Sequence, residues 1–350
     1  MKNINWQKVV TREFSFLWAS YTAEAYRVMQ KLTGTTLKFN LFYTEGRTLT
    51  IYRDPKDVAK SYRLIEKLTK SNPQKALENM DNFENYFEEG INLFKKITNS
   101  TNNKNQIAKM LLEFDKTFVK IISYYLFVVF LGYAGDSPAN KRFISLNKTQ
   151  FERIRMSTMD ADFHIFLPKA FSKFNNKLKN NALFMTRDEL IGALNKKVVS
   201  WPKVKHRKKN ALIIVKDSKE KEIQSSKIIF TLKKELSHLR FNKHAKIIKG
   251  AVAYKGLIKG RVIKISKKSE YNLISKGDIL VISMTKPDII PYLKKVKGII
   301  TNDGGALSHA SILSRELKIP CIVGTMYATD ILNSGDLVVL DANTGIIKKL

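Results

Sequence analysis

Cysteine is almost absent from this 350-residue sequence, with Cys321 the only one. A single thiol excludes an internal disulfide framework and a cysteine-based zinc cluster, and it fits a reducing compartment such as the cytoplasm. Long apolar runs are missing too. The opening stretch, MKNINWQKVVTREF, has no apolar segment of the kind a secretory signal needs. The most apolar stretch, IISYYLFVVFLGYAG at 121–135, is shorter than the roughly 20 residues of a membrane span and is expected to be a buried core helix. Several motifs are also lacking: a G-x-x-x-x-G-K-[ST] phosphate loop, an H-E-x-x-H pair, any 20-to-50-residue repeat and any low-complexity segment.

Acidic residues are in deficit, 31 Asp+Glu against 62 Lys+Arg, for a net charge of +31. Such an excess invites a nucleic-acid reading. Residues 246–350 hold 17 basic and 8 acidic residues, and residues 1–245 the remaining 45 and 23. The excess per residue is therefore about equal in the two parts, whereas a nucleic-acid footprint concentrates charge on one face or arm. A lysine-rich solvated surface explains the spread, with an acidic docking partner as the alternative.

Glycine is scarce before residue 246, and apolar residues there recur at helical spacing. FSFLWASYTAEAYRVMQKL, DVAKSYRLIEKL, NYFEEGINLFKKI, IAKMLLEFDKTFVKIISYYLFVVFLGY and TRDELIGAL read as helices, the last with a capping box from Thr186 to Glu189. FNLFYTEGRTLTIYR, 39–53, reads as a hairpin around Gly46. WPKVKHRKKN reads as an exposed basic connector, followed by short strands in ALIIVKD and SSKIIFTL. From residue 246 the pattern changes to short β-branched runs punctuated by glycine: AVAY, GRVIKIS, GDILVIS, KGIIT, CIVG, DLVVLDA and GIIKKL. One helix is expected at about 309–318 and a short one after Pro287. The fold class expected is α+β in two domains. Residues 1–195 are mostly helical, 196–245 form a connector, and 246–350 form a compact α/β unit.

The chemistry concentrates at GGALSHASILSRELKIP, 304–320. A strand ends at Thr301, NDGG turns the chain, and a helix begins near Ser308 or His309 with Ala310, Leu313 and Leu317 against the sheet. The first-turn N–H groups have no intrahelical partner and lie at the positive end of the dipole, which makes an anion site. The same dipole disfavours the imidazolium of His309 and favours the neutral nucleophile near pH 7. That arrangement suits a phosphorylated histidine; a capping or packing histidine fits the spacing equally. The other histidines, His164, His206, His238 and His244, show no ligand spacing and read as surface or connector residues. DADFH, 160–164, sets two carboxylates beside His164 as a candidate cation site, against the simpler reading of a solvated loop or helix end. Cys321 reads as a buried strand thiol, since no basic neighbour in sequence would lower its pKa.

GGALSHASILSRELKIPCIVGT resembles the signature of the phosphohistidine, or mobile, domain of the phosphoenolpyruvate (PEP)-utilising enzymes. That family includes PEP synthases, pyruvate phosphate dikinases and rifampicin phosphotransferases. GLIKGRVIKI, GDILVISMTKPDIIP and GDLVVLDANTGIIKKL resemble the opening, middle and closing parts of the same domain, so the likeness covers about 246–350. The resemblance implies a swivelling β/β/α domain in which His309 carries a phosphoryl group. Support would come from Thr301 (a hydroxyl near the phosphate), Gly304 and Gly305 (the turn), Ser308 (the helix start) and Arg315 (an anchor for the helix). Thr285, in the Thr-x-Pro element, is a candidate cap for the helix after Pro287. Leu307 departs from the dikinase pattern, which has a threonine there that is a target of regulatory phosphorylation; this chain should lack that switch.

In such enzymes the mobile domain ferries phosphate from an ATP-grasp domain to a second catalytic site. Residues 1–245 are too helical and glycine-poor for an ATP-grasp domain and lack the βα alternation of a barrel. By position and helical character they resemble the region that precedes the mobile domain in rifampicin-phosphotransferase-like proteins. The resemblance thus implies a transferase component that is incomplete alone. A separately encoded ATP-grasp or PEP-binding subunit would supply ATP (or PEP) and Mg²⁺, and a small molecule would accept the phosphate. This chain would bind no metal or cofactor stably. A non-catalytic interaction module keeping the fold and a basic nucleic-acid-binding protein are the alternatives.

Overall fold

A computed structural model describes residues 6–12, 15–33, 37, 39–45, 48–101, 103–135, 137–155, 159–179, 181–216, 219–223, 245–305 and 308–350. The chain divides into two compact units, Met1–Gln7 with Thr11–Leu232 and Lys8–Val10 with Lys233–Leu350.

Unit one contains the helices α1 (Phe16–Thr33), α2 (Pro55–Ser71), α3 (Pro73–Asn99), α4 (Lys104–Tyr133), α5 (Pro138–Leu146), α6 (Lys148–Arg155), α7 (Met159–Phe174), α8 (Arg187–Leu194) and α9 (Trp201–Arg207). Their boundaries follow local chemistry. Asp54 caps α2 by accepting from the Lys56 N–H, with Pro55 at the first helical position, where its missing N–H costs nothing. Asn72 ends α2 and caps α3, again just before a proline. The capping box between Thr186 and Glu189 forms as the sequence indicates. The apolar run at 121–135 lies at the end of α4, where every residue from Ile121 to Leu131 is buried. Among the described residues no helix is long and apolar enough to cross a membrane.

The same unit holds the strands β2 (Phe39–Glu45), β3 (Thr48–Arg53), β4 (Asn210–Lys216) and β5 (Lys219–Ile223), side by side in the order β3-β2-β4-β5, while β1 (Gln7–Arg12) is divided between the two units. The hairpin at 39–53 is present with Glu45 opposite Thr48. The strand expected in ALIIVKD is present as β4, an interior strand paired with β2 over seven residues and with β5 on its other side. WPKVKHRKKN is exposed at its four lysines, as expected, but it is not all connector. Its first seven residues form α9, and Arg207 at their end is 1% exposed, with a guanidinium that donates to the Glu189 carboxylate at 3.0 Å and the Phe184 carbonyl at 3.2 Å. Burial alone would raise the Glu189 pKa, but the Arg207 hydrogen bonds outweigh it and hold the carboxyl below its usual value. The strand expected in SSKIIFTL, and His238 and His244, lie outside the described residues.

Unit two is built on an eight-stranded sheet in the order β6-β13-β12-β8-β9-β10-β11-β7. Its strands are β6 (Ile247–Lys249), β7 (Ala251–Tyr254), β8 (Leu257–Ile265), β9 (Ile279–Ile282), β10 (Gly298–Thr301), β11 (Cys321–Val323), β12 (Leu337–Asp341) and β13 (Ile346–Lys349). The long β8 joins two regions. Its first half pairs antiparallel with β12, its second half parallel with β9, and β10 and β11 continue the parallel part. β9, β10 and β11 are buried on both faces, as a covered parallel sheet requires. Alternate residues feed two cores: Leu280, Ile282, Ile299, Cys321 and Val323 one, and Ile279, Val281, Ile300 and Ile322 the other. Among the described residues the unit also has the short α-helices α10 (Ile290–Leu293), α11 (His309–Glu316) and α12 (Ala328–Ile331).

Candidate functional site

β9, β10 and β11 run parallel and adjacent, so the loops that leave their C-terminal ends gather at one edge of the sheet. Thr301 at the end of β10 lies opposite Ile282 at the end of β9. Three residues beyond Ile282 is Thr285. Beyond Thr301 come the NDGG turn, residues 306–307, Ser308 and α11. This register brings Thr285 and His309, 24 residues apart in sequence, into contact: the Thr285 hydroxyl and His309 Nδ1 are 2.7 Å apart.

His309 is the first residue of α11 and Ser308 its N-cap, with extended backbone (φ −72°, ψ 160°) and a side chain that accepts from the Ser311 N–H. Ala310 and Leu313 are buried in the core beneath the helix and Leu317 packs against it, the face expected from the sequence. The imidazole is more enclosed than an open helix mouth would leave it, at 7% exposure. With Nδ1 engaged by Thr285, Nε2 is the nitrogen through which the ring can act.

The turn is stitched to its neighbours by buried polar groups. The Asp303 N–H donates to the Ser283 carbonyl at 2.9 Å, and the Ser283 hydroxyl to Asp303 Oδ2 at 3.0 Å. The Thr325 N–H and hydroxyl both donate to the Thr301 carbonyl, at 3.1 and 2.9 Å. Asn302 Oδ1 accepts from the Thr329 N–H at 2.9 Å.

Each residue that the sequence singles out has a definite place. The Thr301 side chain is fully buried and its hydroxyl donates to the Asp303 carbonyl at 2.6 Å, so that proton closes the turn and is not offered to a phosphate. Gly304 has φ +120°, and a Cβ there would lie 2.7 Å from Ser308 Oγ and 2.9 Å from Ser308 Cβ. Gly305 differs: among the described residues a Cβ would meet nothing within 4 Å, while its carbonyl accepts from the Ser308 N–H and the Ser311 hydroxyl. Gly304→Ala is accordingly expected to cost about 1–3 kcal/mol through backbone strain and displacement of the cap. Gly305→Ala should cost far less, and urea unfolding of the pair checks the difference. Arg315 is exposed in the last turn of α11, at the end of the helix away from His309. Cys321 is fully buried and its thiol is pushed up to about 12, chiefly by burial, which makes it no nucleophile near neutral pH.

Thr285 is the residue misread from the sequence. The 3₁₀ turn Pro287–Ile289 has no side-chain cap, and the threonine hydroxyl reaches the histidine instead. Only the pairing of β9 with β10 reveals this. Ser311 escaped notice altogether, although its hydroxyl joins the Ser308 side chain to the Gly305 carbonyl. Leu307 lies outside the described residues, as does the side chain of His164, whose backbone belongs to α7. Among the described residues no group of three His, Cys, Asp or Glu side chains is placed to hold a metal ion.

Comparison with known proteins bears on the same segment. Residues 274–345 match the family described as "PEP-utilising enzyme, mobile domain". The phosphoenolpyruvate synthase of Pyrococcus furiosus is 42% identical over 137 residues, 38% of this chain and 17% of that protein. A probable phosphoenolpyruvate synthase of Methanothermobacter thermautotrophicus is 48% identical over 101 residues, 29% of this chain and 15% of that protein. The uncharacterized phosphotransferase YvkC of Bacillus subtilis is 40% identical over 98 residues, 28% and 12% respectively. The chain thus spans less than a fifth of the length of these relatives. The matched residues, 274–345, contain Thr285, the NDGG turn and His309.

Proposed function

We propose that this chain is a phosphotransfer component in which His309 receives a phosphoryl group from a separate ATP-grasp or PEP-binding partner and passes it to a small-molecule acceptor. The observation that carries this reading is the 2.7 Å contact between Thr285 and His309 Nδ1, in the segment that matches the mobile domain. A histidine that takes phosphate on one nitrogen needs its proton on the other. With Nδ1–H donating to the Thr285 oxygen, the Nε2 lone pair is the nucleophile. It attacks phosphorus in line, an N–P bond forms, and the bond from phosphorus to the donor's leaving oxygen breaks with the electron pair on that oxygen. Transfer to the acceptor reverses the step, with the acceptor oxygen displacing the ring. ATP or PEP and Mg²⁺ belong to the partner in this reading. At 7% exposure the ring is largely enclosed, so docking of the donor would have to widen access to Nε2.

The test is incubation with labelled ATP or PEP and an ATP-grasp partner encoded beside this chain. An acid-labile, base-stable phosphoryl group on the wild type that is missing in His309→Ala supports carriage, and equal labelling of the two proteins overturns it. Thr285→Val probes the positioning of the ring. Losing the Nδ1 contact is expected to leave labelling possible but slower by about 10- to 100-fold, with phosphate divided between the two ring nitrogens. ³¹P NMR separates the two phosphohistidine isomers. A single Nε2 isomer at the wild-type rate would show that Thr285 has no positioning role.

A further inference from the structure

Among the described residues, three other than glycine have positive φ: Lys196, Lys318 and Met326. Two of them end helices in an ordinary way. Lys196 follows the C-cap of α8 and Lys318 that of α11, and in each case the next N–H reaches back five residues. Lys197 donates to the Gly192 carbonyl at 2.8 Å and Ile319 to the Ser314 carbonyl at 2.9 Å. A left-handed residue closes a helix in that pattern. Met326, at φ +61°, has no helix before it and lies between β11 and α12. The Tyr327 N–H donates to the Thr325 carbonyl at 2.7 Å, which closes a three-residue turn around Met326. Such a turn with its central residue at positive φ is rare and strained, and glycine or asparagine takes that position more readily.

Core packing does not offset that strain. Met326 is 40% exposed and belongs to neither of the unit's two cores. Its loop is instead fastened to the candidate site. The Met326 N–H donates to the Asn302 carbonyl at 2.9 Å, and Thr325 donates twice to the Thr301 carbonyl. The Asn302 side chain accepts from the Thr329 N–H and donates to the Thr329 hydroxyl. Thr301 and Asn302 lead directly into the glycine turn and α11. An apolar residue is thereby held exposed at the same edge of the sheet as His309.

We propose that Met326 is a docking contact for the protein that phosphorylates His309. The inference rests on the carrier reading above. A donor protein must bring phosphorus to Nε2, and in doing so it covers this edge and Met326 with it. The partner presents an apolar pocket there. Methionine suits the role, because its unbranched, polarizable side chain gains from burial and adapts to the shape of the pocket. A backbone already fixed in one conformation lowers the ordering cost of the contact. Met326 touches the partner and not the reacting atoms. It therefore sets how tightly the donor docks and leaves the transfer step unchanged.

The experiment follows the rate at which the full chain takes label from ATP as the concentration of the ATP-grasp partner encoded beside it is raised. Met326→Gly and Met326→Asn both keep the turn, since both residues tolerate positive φ. Each is expected to raise the half-saturating partner concentration by about tenfold or more, as loss of one buried methionine side chain predicts, with the rate at saturation within about twofold of the wild type. Both should melt at or above the wild-type temperature. Leu337→Asn removes a similarly exposed apolar residue from the antiparallel part of the sheet and should leave docking unchanged. Unchanged half-saturation in the Met326 variants, or the same rise in Leu337→Asn, overturns the proposal while labelling of the wild type upholds the carrier reading. A lower melting temperature together with weaker docking assigns Met326 a structural role and overturns it too. No label on the wild type overturns both readings.

Discussion

His309→Ala is expected to abolish acid-labile phosphoryl labelling, a loss of at least ~10⁴-fold, as removal of a nucleophile does elsewhere. Among the described residues the neighbouring hydroxyls and thiol are poorly suited to substitute. The Ser308 and Ser311 hydroxyls are tied to each other and into the helix cap, the Thr301 proton is committed to the turn, and the Cys321 thiol is pushed up to about 12. The same change is expected to cost only about 1–3 kcal/mol of stability, from leaving the buried Thr285 hydroxyl without its ring partner. Alanine is a good residue within a helix, and the Ser308 cap does not depend on the imidazole. Residual labelling combined with an unchanged melting temperature would mean that phosphate enters through another residue.

Arg187→Ala is expected to be the most destabilising single change among those considered, by about 3–5 kcal/mol. Asp115 lies inside α4 with only 5% of its side chain exposed, and Arg187 grips both of its oxygens, at 2.9 and 2.7 Å. The Tyr21 hydroxyl donates to the same carboxylate at 2.8 Å; burial first, then the Asp115 charge, push its pKa well above the usual value. Removing the guanidinium strands a carboxylate that one neutral donor cannot compensate. Denaturant titration of the folded chain measures the loss. Arg187→Met with Asp115→Leu should recover much of it, because a well-packed apolar pair need not be less stable than a buried ion pair. A loss below about 1 kcal/mol in the single variant would show that water reaches Asp115 readily.

Much of unit two was legible in the sequence because its pattern is local. Alternation and β-branched runs located β7 to β13, and Ser308 before an apolar-periodic stretch marked the start of α11 within a residue. The long helices α1 to α4 declared themselves by spacing for the same reason. Short elements did not: β1, β5, β6, α5 and α6 carry too few periodic residues to stand out, while α7, 16 residues long, is interrupted by Pro168. In the basic stretch before β4, exposure of the lysines was legible and burial of Arg207 was not. Six of its ten residues are Lys, Arg or His, yet burial of Arg207 depends on Glu189, 18 residues upstream, whose placement is tertiary.

At the candidate site the division is similar. His309, the glycine turn and the Ser308 cap follow from neighbours in sequence, through backbone conformation and helix-end hydrogen bonding, and these the sequence determined alone. Tertiary structure decided that Gly304 and not Gly305 is sterically required, that the Thr301 hydroxyl is spent inside the turn, and that Thr285 holds the imidazole. It also buried Arg53 against Asn40, Tyr26 and Phe130. Each of these depends on which strands lie side by side. Strand pairing is settled by burial of the whole apolar surface, and no window of a dozen residues contains that information.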